Sequence, residues 1–497
     1  MINTTKTTSY MKMRKINFAA LLTFTINLSA LAQAKLDINW AKQLMVSKST
    51  PTLQVVVNPP LRRGASIHDQ SFEALKNLGA DYVRYVPWLP YPRLGVAELE
   101  PPANGKTSWD FTNIDPMTID FLEATKGHSV VLNFSTIPAW MFKTDKPVTY
   151  PADPGEVVWN YTQGSELRDS TAKHVGDYYA RLYSWYTKGG FTDELGKVHT
   201  SGYHYNIPIW EVLNEPDLEH NPTPKQYATE YDAVVTAIKK VSPGTKFVGM
   251  SLAFENEPER YEYFLNHKNH KPGVPLDFIS YHFYATNIAG QDIDIMQHTY
   301  FERADNFINR VRYIESIRKR LSPETRTTIN EVGSILHDEE HAITPAYWNL
   351  SGAMYAYLYL ELTKIGIDVI GESQLVGYPT QFPSVSMINW TNGKPNARYW
   401  VLKLIHDNVG AGDALVETGL DGEKSEDLYA QAFKTKTGNK TILINKRNKN
   451  ISVTLPASLK GAKISVVDGS TGDEPPATSV IDGTEITLKP FAVAVIQ

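Results

Sequence analysis

The chain has 497 residues, of which 42% are hydrophobic and 21% are charged. That balance is typical of a folded globular protein and argues against intrinsic disorder. The formal net charge is −5, so no basic excess points to nucleic acid or to an anionic membrane surface. Cysteine is absent, which excludes a disulfide scaffold and any zinc site built on thiolates.

The N-terminus has the pattern of a secretory signal peptide, residues 1–34. Basic residues at positions 12 to 15 precede an apolar run over 16–31, and Ala32-Gln33-Ala34 fits a cleavage site. The run contains polar residues and is short for a membrane span. We therefore expect a secreted or periplasmic protein that is cleaved near Ala34 and has no membrane contact afterwards.

Residues 53–409 alternate between short apolar runs and amphipathic segments. The predicted strands are Leu53–Val57, Ala80–Val86, Ser129–Phe134, the apolar start of Ile207–Asp217, Lys246–Leu252, Leu276–Phe283, Arg326–Glu331 and Asp368–Leu375. The predicted helices are Ser66–Leu78, Asp115–Thr125, Asp169–Tyr186, Thr223–Val241, Glu259–Asn266, Phe301–Leu321, Ala346–Ile365 and Ala397–Val409. Eight such strand and helix pairs predict an α/β fold, a (β/α)8 TIM barrel. A doubly wound sheet usually has a Gly-rich first turn, which Asn58-Pro59-Pro60 is not.

Residues 410–497 have a different pattern, with short strands separated by turn residues and no helical spacing. This pattern predicts a C-terminal all-β sandwich domain of roughly 85 residues. The N-terminal segment 35–52 precedes the barrel, and Leu36–Trp40 within it is a candidate extra strand for the sandwich.

Two predicted strands lead into a polar cluster that contains Asn-Glu. Ile207–Asp217 (IPIWEVLNEPD) contains Glu215, and Pro216 stops the strand from continuing. Arg326–Ser334 (RTTINEVGS) contains Glu331, followed by a predicted turn glycine, Gly333. Side chains at the C-terminal ends of barrel strands carry the chemistry of TIM-barrel enzymes. A pair of carboxyl groups at one barrel mouth is what glycoside hydrolysis requires.

These motifs resemble the clan A glycoside hydrolases, most closely family 39, which contains β-xylosidases, α-L-iduronidases and arabinofuranosidases. The resemblance covers roughly residues 53–409, and an appended β-sandwich also fits that family. The matching segments, in order, are VRYVPW (Val83–Trp88), IPAWMF (Ile137–Phe142), WEVLNEPD (Trp210–Asp217), ISYHFY (Ile279–Tyr284) and INEVG (Ile329–Gly333).

The resemblance implies a role for each matching residue. Glu215 would be the acid/base and Glu331 the nucleophile. Asn214 would bind the sugar hydroxyl next to the anomeric carbon. Arg84 would keep Glu331 ionised, because a nearby cation lowers the pKa of a carboxylate. His282 and Tyr284 would line the site, and one of them would hydrogen-bond the nucleophile.

Aromatic residues are the remaining candidate contacts with a sugar. Trp88 and Trp140 are candidates for stacking on a sugar ring, although either can equally be a core or rim residue. Many clan members have a tryptophan at the end of strand eight, and Gly371–Tyr378 contains none. Trp390 is the candidate replacement from a nearby loop.

The motifs and the family resemblance together predict a secreted, retaining glycoside hydrolase with an oligosaccharide or polysaccharide substrate and no metal or cofactor. The resemblance alone implies exo action and an activity of the β-xylosidase or arabinofuranosidase type. The oligomeric state is left open. One alternative is a catalytically inactive carbohydrate-binding protein on the same fold. Another is a zinc metallopeptidase using His337 and His341, which match H-x-x-E-H. A chelator would inactivate the peptidase and leave the glycosidase unaffected.

Overall fold

The structure is a computed structural model that describes residues 34–159, 164–337 and 343–497. Most of the predicted signal peptide, residues 1–33, lies outside the described residues, and so does His341 of the candidate zinc motif. Among the described helices, none combines the length and the hydropathy needed to cross a lipid bilayer.

The barrel is closed by eight parallel strands, which neighbour one another in the order β10-β11-β2-β3-β4-β7-β8-β9. The strands up to residue 372 are β1 (Ala34–Val46), β2 (Thr50–Val56), β3 (Val83–Val86), β4 (Val130–Leu132), β5 (Gly190–Thr192), β6 (Val198–Thr200), β7 (Ile209–Glu211), β8 (Lys246–Leu252), β9 (Phe278–Thr286), β10 (Arg326–Ile335) and β11 (Val369–Glu372). Strands β5 and β6 form a separate hairpin. The barrel predicted from the sequence is confirmed.

Eight longer helices follow the eight barrel strands, and two short ones lie in loops at the barrel mouth. They are α1 (His68–Leu78), α2 (Pro92–Gly95), α3 (Asp115–Ala124), α4 (Lys173–Thr187), α5 (Pro216–Glu219), α6 (Pro224–Val241), α7 (Pro258–Phe264), α8 (Ile293–Leu321), α9 (Pro345–Ile365) and α10 (Ala397–His406). Local sequence explains several ends. Thr223 and Gln226 form a capping box before α6, and Gly366 ends α9 in the left-handed conformation.

The C-terminal domain is an all-β unit of nine strands in the order β17-β16-β19-β14-β13-β12-β1-β15-β18. Its remaining strands are β12 (Ala414–Asp421), β13 (Leu428–Thr435), β14 (Gly438–Asn445), β15 (Ile451–Thr454), β16 (Lys463–Val467), β17 (Ala477–Val480), β18 (Glu485–Leu488) and β19 (Val493–Ile496). One apolar core contains Leu36 and Val453 from one half of the sheet and Ile464 and Ile496 from the other. The sheet therefore folds over on itself as a sandwich, and the predicted β domain is confirmed.

The structure differs from the predicted elements at several places, of which the following bear on the fold and the site. Strand β12 and the β5–β6 hairpin were not predicted. Helix α8 begins at Ile293, eight residues before the predicted start, because Asp292 caps it by accepting from the backbone N–H of Ile295. Strand β10 continues past Glu331 to Ile335, so the predicted strand end at Glu331 is wrong. A register shift between Thr328 and Glu331 instead interrupts the pairing of β10 with β9.

Candidate active site

Glu215 and Glu331 lie at the C-terminal mouth of the barrel, and both approach the same ring nitrogen of His282. One carboxylate oxygen from each glutamate and one ring nitrogen of His282 all lie within 4.8 Å of one another. The ring Nδ1 of His282 is 2.8 Å from Glu215 Oε1 and 3.6 Å from Glu331 Oε2. Both glutamates are largely buried, at 9% and 6% exposure. The fold thus brings together two carboxyl groups that are 116 residues apart in the sequence.

The backbone around Glu215 is held in an uncommon conformation. Glu215 has a positive φ of 41°, and Leu213 just before it has a φ of 65°. The N–H of Glu215 donates to the carbonyl of Ser251, on the neighbouring strand, at 2.9 Å. Ser251 itself has a φ of 48°. Such left-handed residues are costly outside glycine, and they concentrate at functional sites where the surrounding structure fixes them.

Arg84 is the buried cation that organises the floor of the site. Its guanidinium donates to Glu331 Oε1 and to Glu211 Oε2. It also donates to Asn214 Oδ1 at 2.6 Å. Two further acceptors are Gln54 Oε1 at 2.6 Å and Ser251 Oγ at 3.1 Å. An arginine offers five N–H donors in a fixed plane, so Arg84 fixes the relative positions of groups from several barrel strands.

Glu211 fills the barrel interior directly below the site. Its Oε2 accepts from Arg84 and, at 2.8 Å, from Asn133, while its Oε1 accepts from Asn330 at 2.7 Å. Its side chain is fully buried. It therefore serves as the structural counter-ion of Arg84, from the last residue of β7.

Tyr284 holds the second oxygen of Glu331. The phenol O–H is 2.5 Å from Glu331 Oε2 and 2.5 Å from Ser373 Oγ. Gly333 makes room for the ring, because a Cβ at this position would lie 3.2 Å from Tyr284 Cε1. Gly333 is thus not the predicted turn glycine. It lies inside β10, and the close approach of Tyr284 explains why no side chain stands there.

The environments of the two carboxyl groups push their pKa values in opposite directions. Burial raises the pKa of Glu215, and the negative charge of Glu331 raises it further, against the hydrogen bond from His282. Burial acts on Glu331 as well, but the positive charges of His282 and Arg84 and the hydrogen bond from Tyr284 outweigh it. The pKa of Glu331 is therefore lowered. The arrangement favours the protonated form of Glu215 and the ionised form of Glu331.

His282 connects the two sides of the site through Ser251. Arg84 can only donate, so Ser251 Oγ accepts from it, and the Ser251 hydroxyl proton is available for His282 Nε2 at 3.1 Å. In the neutral form of His282 this arrangement places the ring proton on Nδ1, where it is donated to Glu215 Oε1, and in the charged form Nδ1 keeps that proton. The site therefore contains a directed chain of hydrogen bonds from Arg84 to Glu215.

A cavity of about 790 Å³ opens above the two carboxyl groups. One wall comes from the loops after β3, β4 and β11 and presents the aromatic rings of Trp88, Trp159 and Phe382. The opposite wall carries Phe254 and Arg310. The size is ordinary for a small-molecule site.

Comparisons with known proteins agree with this geometry. The model of the glycosyl hydrolases family 39 matches residues 196–338. A β-xylosidase from Caldicellulosiruptor saccharolyticus is 26% identical over 217 residues, which are 43% of this chain and 38% of that protein. The match therefore spans well under half of the relative's length.

Solved structures share the fold at low sequence identity. A GH51 α-L-arabinofuranosidase from Thermotoga petrophila has a TM-score of 0.61 at 15% identity, covering 93% of this chain and 99% of its own. A family 51 α-L-arabinofuranosidase from Bifidobacterium longum has a TM-score of 0.63 at 12% identity, with coverage of 94% and 99%. Residues 196–338 of the chain are thus similar to the glycosyl hydrolases family 39, and the whole chain shares its fold with these arabinofuranosidases. The C-terminal immunoglobulin-like domain of D-apionate lactonase also matches, over residues 426–496.

In this family 39-like chain the predicted polar residues meet at one place, whereas the predicted tryptophans do not. Trp88 lines the catalytic cavity. Trp140 does not, because it lies in the turn after β4 and its indole N–H donates to the carbonyl of Glu98 at 2.9 Å. Trp390 lines a second groove, of about 1130 Å³, which meets the catalytic cavity at Phe382.

Glu219 is a site residue that the sequence reading missed. Its Oε1 accepts from the amide Nδ2 of Asn214 at 3.0 Å and from the indole Nε1 of Trp88 at 2.5 Å. Its Oε2 is buried, and no described residue hydrogen-bonds to it. Burial raises the pKa of Glu219 well above the ordinary value, and the negative charge of Glu215 adds to the rise. The available signal was its position one helical turn after Glu215, within α5.

Among the described residues, the cluster with the spacing of a metal site is Glu215, His282 and Glu331. Arg84 already occupies one oxygen of Glu331, and its fixed positive charge would oppose a second cation there. The trio is therefore better suited to proton transfer than to holding a metal ion. His337 lies just after β10, where it lines the second groove.

Proposed function

We propose that this protein is a retaining glycoside hydrolase in which Glu331 is the nucleophile and Glu215 is the acid/base. One observation carries the proposal: two buried carboxyl groups approach within 4.8 Å in one cavity, and their pKa values move in opposite directions. Retaining enzymes place their carboxyl groups about 5 Å apart, whereas inverting enzymes need about 6.5–9.5 Å to admit a water molecule.

The geometry supports two successive displacements. Glu331, ionised between Arg84 and Tyr284, attacks the anomeric carbon while Glu215 gives its proton to the departing glycosidic oxygen. Glu215, now a carboxylate, removes a proton from a water molecule. That water displaces Glu331 from the sugar, so the configuration is retained and Glu215 regains its proton.

Asn214 supplies the contact expected at the sugar hydroxyl next to the anomeric carbon. Because Arg84 can only donate, Asn214 Oδ1 is the acceptor of that bond and Nδ2 is the donor group. One N–H of Nδ2 is directed to Glu219, and the second is available for the substrate. Such a bond strengthens as charge develops on the sugar in the transition state.

We propose a β-xylosidase-like or arabinofuranosidase-like activity, exo-acting on oligosaccharides derived from plant or microbial polysaccharides. The matching relative is a β-xylosidase, and two structures with the same fold are α-L-arabinofuranosidases. The basic, apolar and Ala-Gln-Ala pattern at the N-terminus supports secretion or export to the periplasm.

The test is the release of nitrophenol from a panel of aryl glycosides: xyloside, arabinofuranoside, glucoside, galactoside and iduronide. Wild type, Glu215→Gln and Glu331→Gln are compared with and without EDTA. We expect one glycoside to turn over, EDTA to have no effect, and both variants to lose activity by orders of magnitude. ¹H NMR of the first-formed product then reports retention or inversion.

Each alternative function has its own signature in this experiment. Inactivation by EDTA would favour the metallopeptidase that uses His337 and His341. Binding to a glycan array without turnover of any glycoside would favour an inactive carbohydrate-binding protein. Wild-type activity in Glu331→Gln would overturn the nucleophile assignment, and an inverted product would overturn the two-step mechanism.

A further inference from the structure

Three aromatic rings form a contiguous cluster at the mouth of the catalytic cavity. The aromatic cluster consists of Trp88, Trp159 and Phe382. Ring centroids lie 5.5 Å apart for Trp88 and Trp159, 5.7 Å for Trp159 and Phe382, and 6.4 Å for Trp88 and Phe382. Trp159 is 43% exposed and Phe382 is 38% exposed, so the cluster presents a contiguous aromatic surface at the cavity mouth.

Phe382 also has a strained backbone. Its φ and ψ are 50° and 74°, in the left-handed region that bulky residues rarely adopt. Pro383 follows it and restricts the preceding residue further. The conformation is imposed by its surroundings: a tight turn pairs Tyr378 with Gln381 just before it, and its carbonyl packs against Gly377, where a Cβ would lie only 2.5 Å away.

Phe382 therefore combines an exposed ring with a strained backbone. Strained residues that persist in this way concentrate at sites of ligand contact. The ring lies beside the catalytic residues, because Trp88, the next ring in the cluster, shares Glu219 Oε1 with the amide of Asn214. Trp88 thus contacts both Glu219, which also accepts from Asn214, and Phe382.

We propose that the aromatic cluster is a subsite for a second sugar ring, adjacent to the ring whose bond is cleaved, and that Phe382 is its platform. The apolar C–H face of a sugar ring is the chemical group that an exposed aromatic face accommodates. The inference rests on the proposed glycosidase function and deepens it: the substrate is a disaccharide or a longer chain, not a simple glycoside. The hydrogen bond of Trp88 to Glu219 keeps one wall of the subsite rigid.

The positive φ of Phe382 makes glycine a suitable replacement at this position. Phe382→Gly removes the ring and leaves a residue for which φ near 50° is unstrained, whereas Phe382→Tyr keeps a ring in place. Tyr313, 46% exposed on the outer part of α8 and lining neither cavity, gives the control variant Tyr313→Ala. We expect all three variants to unfold within roughly 3 °C of wild type.

The experiment measures kcat and KM on three substrates of the sugar that the panel identifies. The monosaccharide fluoride places only the cleaved ring. The disaccharide fluoride adds a ring on the non-reducing side, and the free disaccharide adds a ring on the leaving-group side. We expect Phe382→Gly to raise KM about 5- to 10-fold for at least one two-ring substrate and to leave the one-ring fluoride within about 2-fold, as loss of one aromatic contact predicts.

Equal losses on all three substrates, or no loss on any, would overturn the subsite. Phe382→Tyr and Tyr313→Ala are expected to match wild type on every substrate. If wild type cleaves no glycoside, the proposed function fails separately. Calorimetric titration with the xylose and arabinose mono- and disaccharides then decides the subsite: tighter binding of a disaccharide that Phe382→Gly abolishes supports it, and equal binding of mono- and disaccharides overturns it.

Discussion

The two sides of the candidate active site treat the same chemical group in opposite ways. On one side Glu331 receives hydrogen bonds from Arg84 and Tyr284 at both oxygens, and its pKa is lowered. On the other side Glu215 is buried near further carboxyl groups, has His282 as its hydrogen-bonding partner, and has a raised pKa. The surroundings of each glutamate, and not the residue type, therefore determine which one is suited to attack and which one to carry a proton.

The largest expected effect comes from removing either carboxyl group, and the leaving group separates the two roles. We expect Glu331→Gln to lose more than about 10⁴-fold in kcat on every aryl glycoside, because no nucleophile remains. We expect Glu215→Gln to lose about 10²- to 10⁴-fold with a poor leaving group. With dinitrophenol, which departs without a proton, the formation of the glycosyl-enzyme should be nearly unaffected.

Pre-steady-state release of dinitrophenol checks this difference. A burst in Glu215→Gln and no burst in Glu331→Gln is the expected result. The opposite pattern would exchange the two roles.

Replacement of Arg84 should reduce the difference between the pKa values of Glu331 and Glu215. We expect Arg84→Lys to lower kcat/KM about 10²- to 10³-fold, since a preorganised donor to the reacting carboxylate is lost. The pKa of Glu331 should rise, so the acidic limb of the pH profile should move to higher pH. The profile of kcat/KM from pH 3 to 9 measures this shift.

The lysine variant keeps a positive charge beside Glu211, whereas Arg84→Met leaves that carboxylate buried and unpaired. We expect Arg84→Met to be destabilised by about 3–5 kcal/mol, as measured by urea unfolding. An acidic limb that stays in place in Arg84→Lys would contradict the assigned role of Arg84.

Substitutions of Glu219 test whether activity requires a neutral hydrogen-bond acceptor beside Asn214 and Trp88. Because burial raises the pKa of Glu219 well above the ordinary value, its protonated form is favoured, and we expect it to act as a neutral acceptor. We expect Glu219→Gln to stay within about 3-fold of wild type and Glu219→Leu to lose about 10-fold, the value of one or two hydrogen bonds.

The indole N–H resonance of Trp88, assigned with Trp88→Phe, gives a readout independent of activity. We expect no titration step at the ordinary pKa of a glutamate in the wild type, because burial raises the pKa of its partner Glu219. A titration step near the ordinary pKa of a glutamate would contradict the prediction.

The smallest expected effect concerns the hydrogen bonds that run from Arg84 through Ser251 and His282 to Glu215. Ser251→Ala removes the hydroxyl that places the ring proton of His282 on Nδ1. We expect kcat to fall about 5-fold, equivalent to one hydrogen bond of about 1 kcal/mol, with the basic limb of the pH profile displaced. Ser280, which bonds Asn330 at 2.7 Å and touches neither glutamate, gives the control Ser280→Ala. Equal effects of the two substitutions would mean that Ser251 has only a structural role.

Much of the architecture followed from the sequence. The alternation of short apolar runs with amphipathic segments predicted the barrel, since each βα unit carries its own periodicity. Turn residues and the loss of helical spacing after residue 410 predicted the β domain. Glu215 was identifiable because it belongs to the polar cluster that follows a short apolar run, and because Pro216, the next residue, prevents the strand from continuing.

The predictions that failed concern features with weak local signals. The pattern placed a strand end at Glu331, but β10 continues because β9 pairs with it as far as Ile335. Trp140 was a candidate sugar contact, but its indole N–H donates to the carbonyl of Glu98, and the residue does not line the catalytic cavity. Phe382 and Glu219 were not selected, because neither exposure nor a shared hydrogen-bond acceptor is visible in a linear sequence.

The sequence by itself determined which segments form strands, which carboxyl groups stand beside them and which chemistry those groups can perform. Which carboxyl group is favoured in its ionised form and which in its protonated form depends on the tertiary structure. Gln54, Arg84, Asn214 and Glu331 lie on different barrel strands or the loops after them, and closure of the barrel brings them into one hydrogen-bonded network. Electrostatic effects depend on distance and burial, and both are set when the eight strands close, so the proton of Glu215 and the charge of Glu331 are properties of the fold.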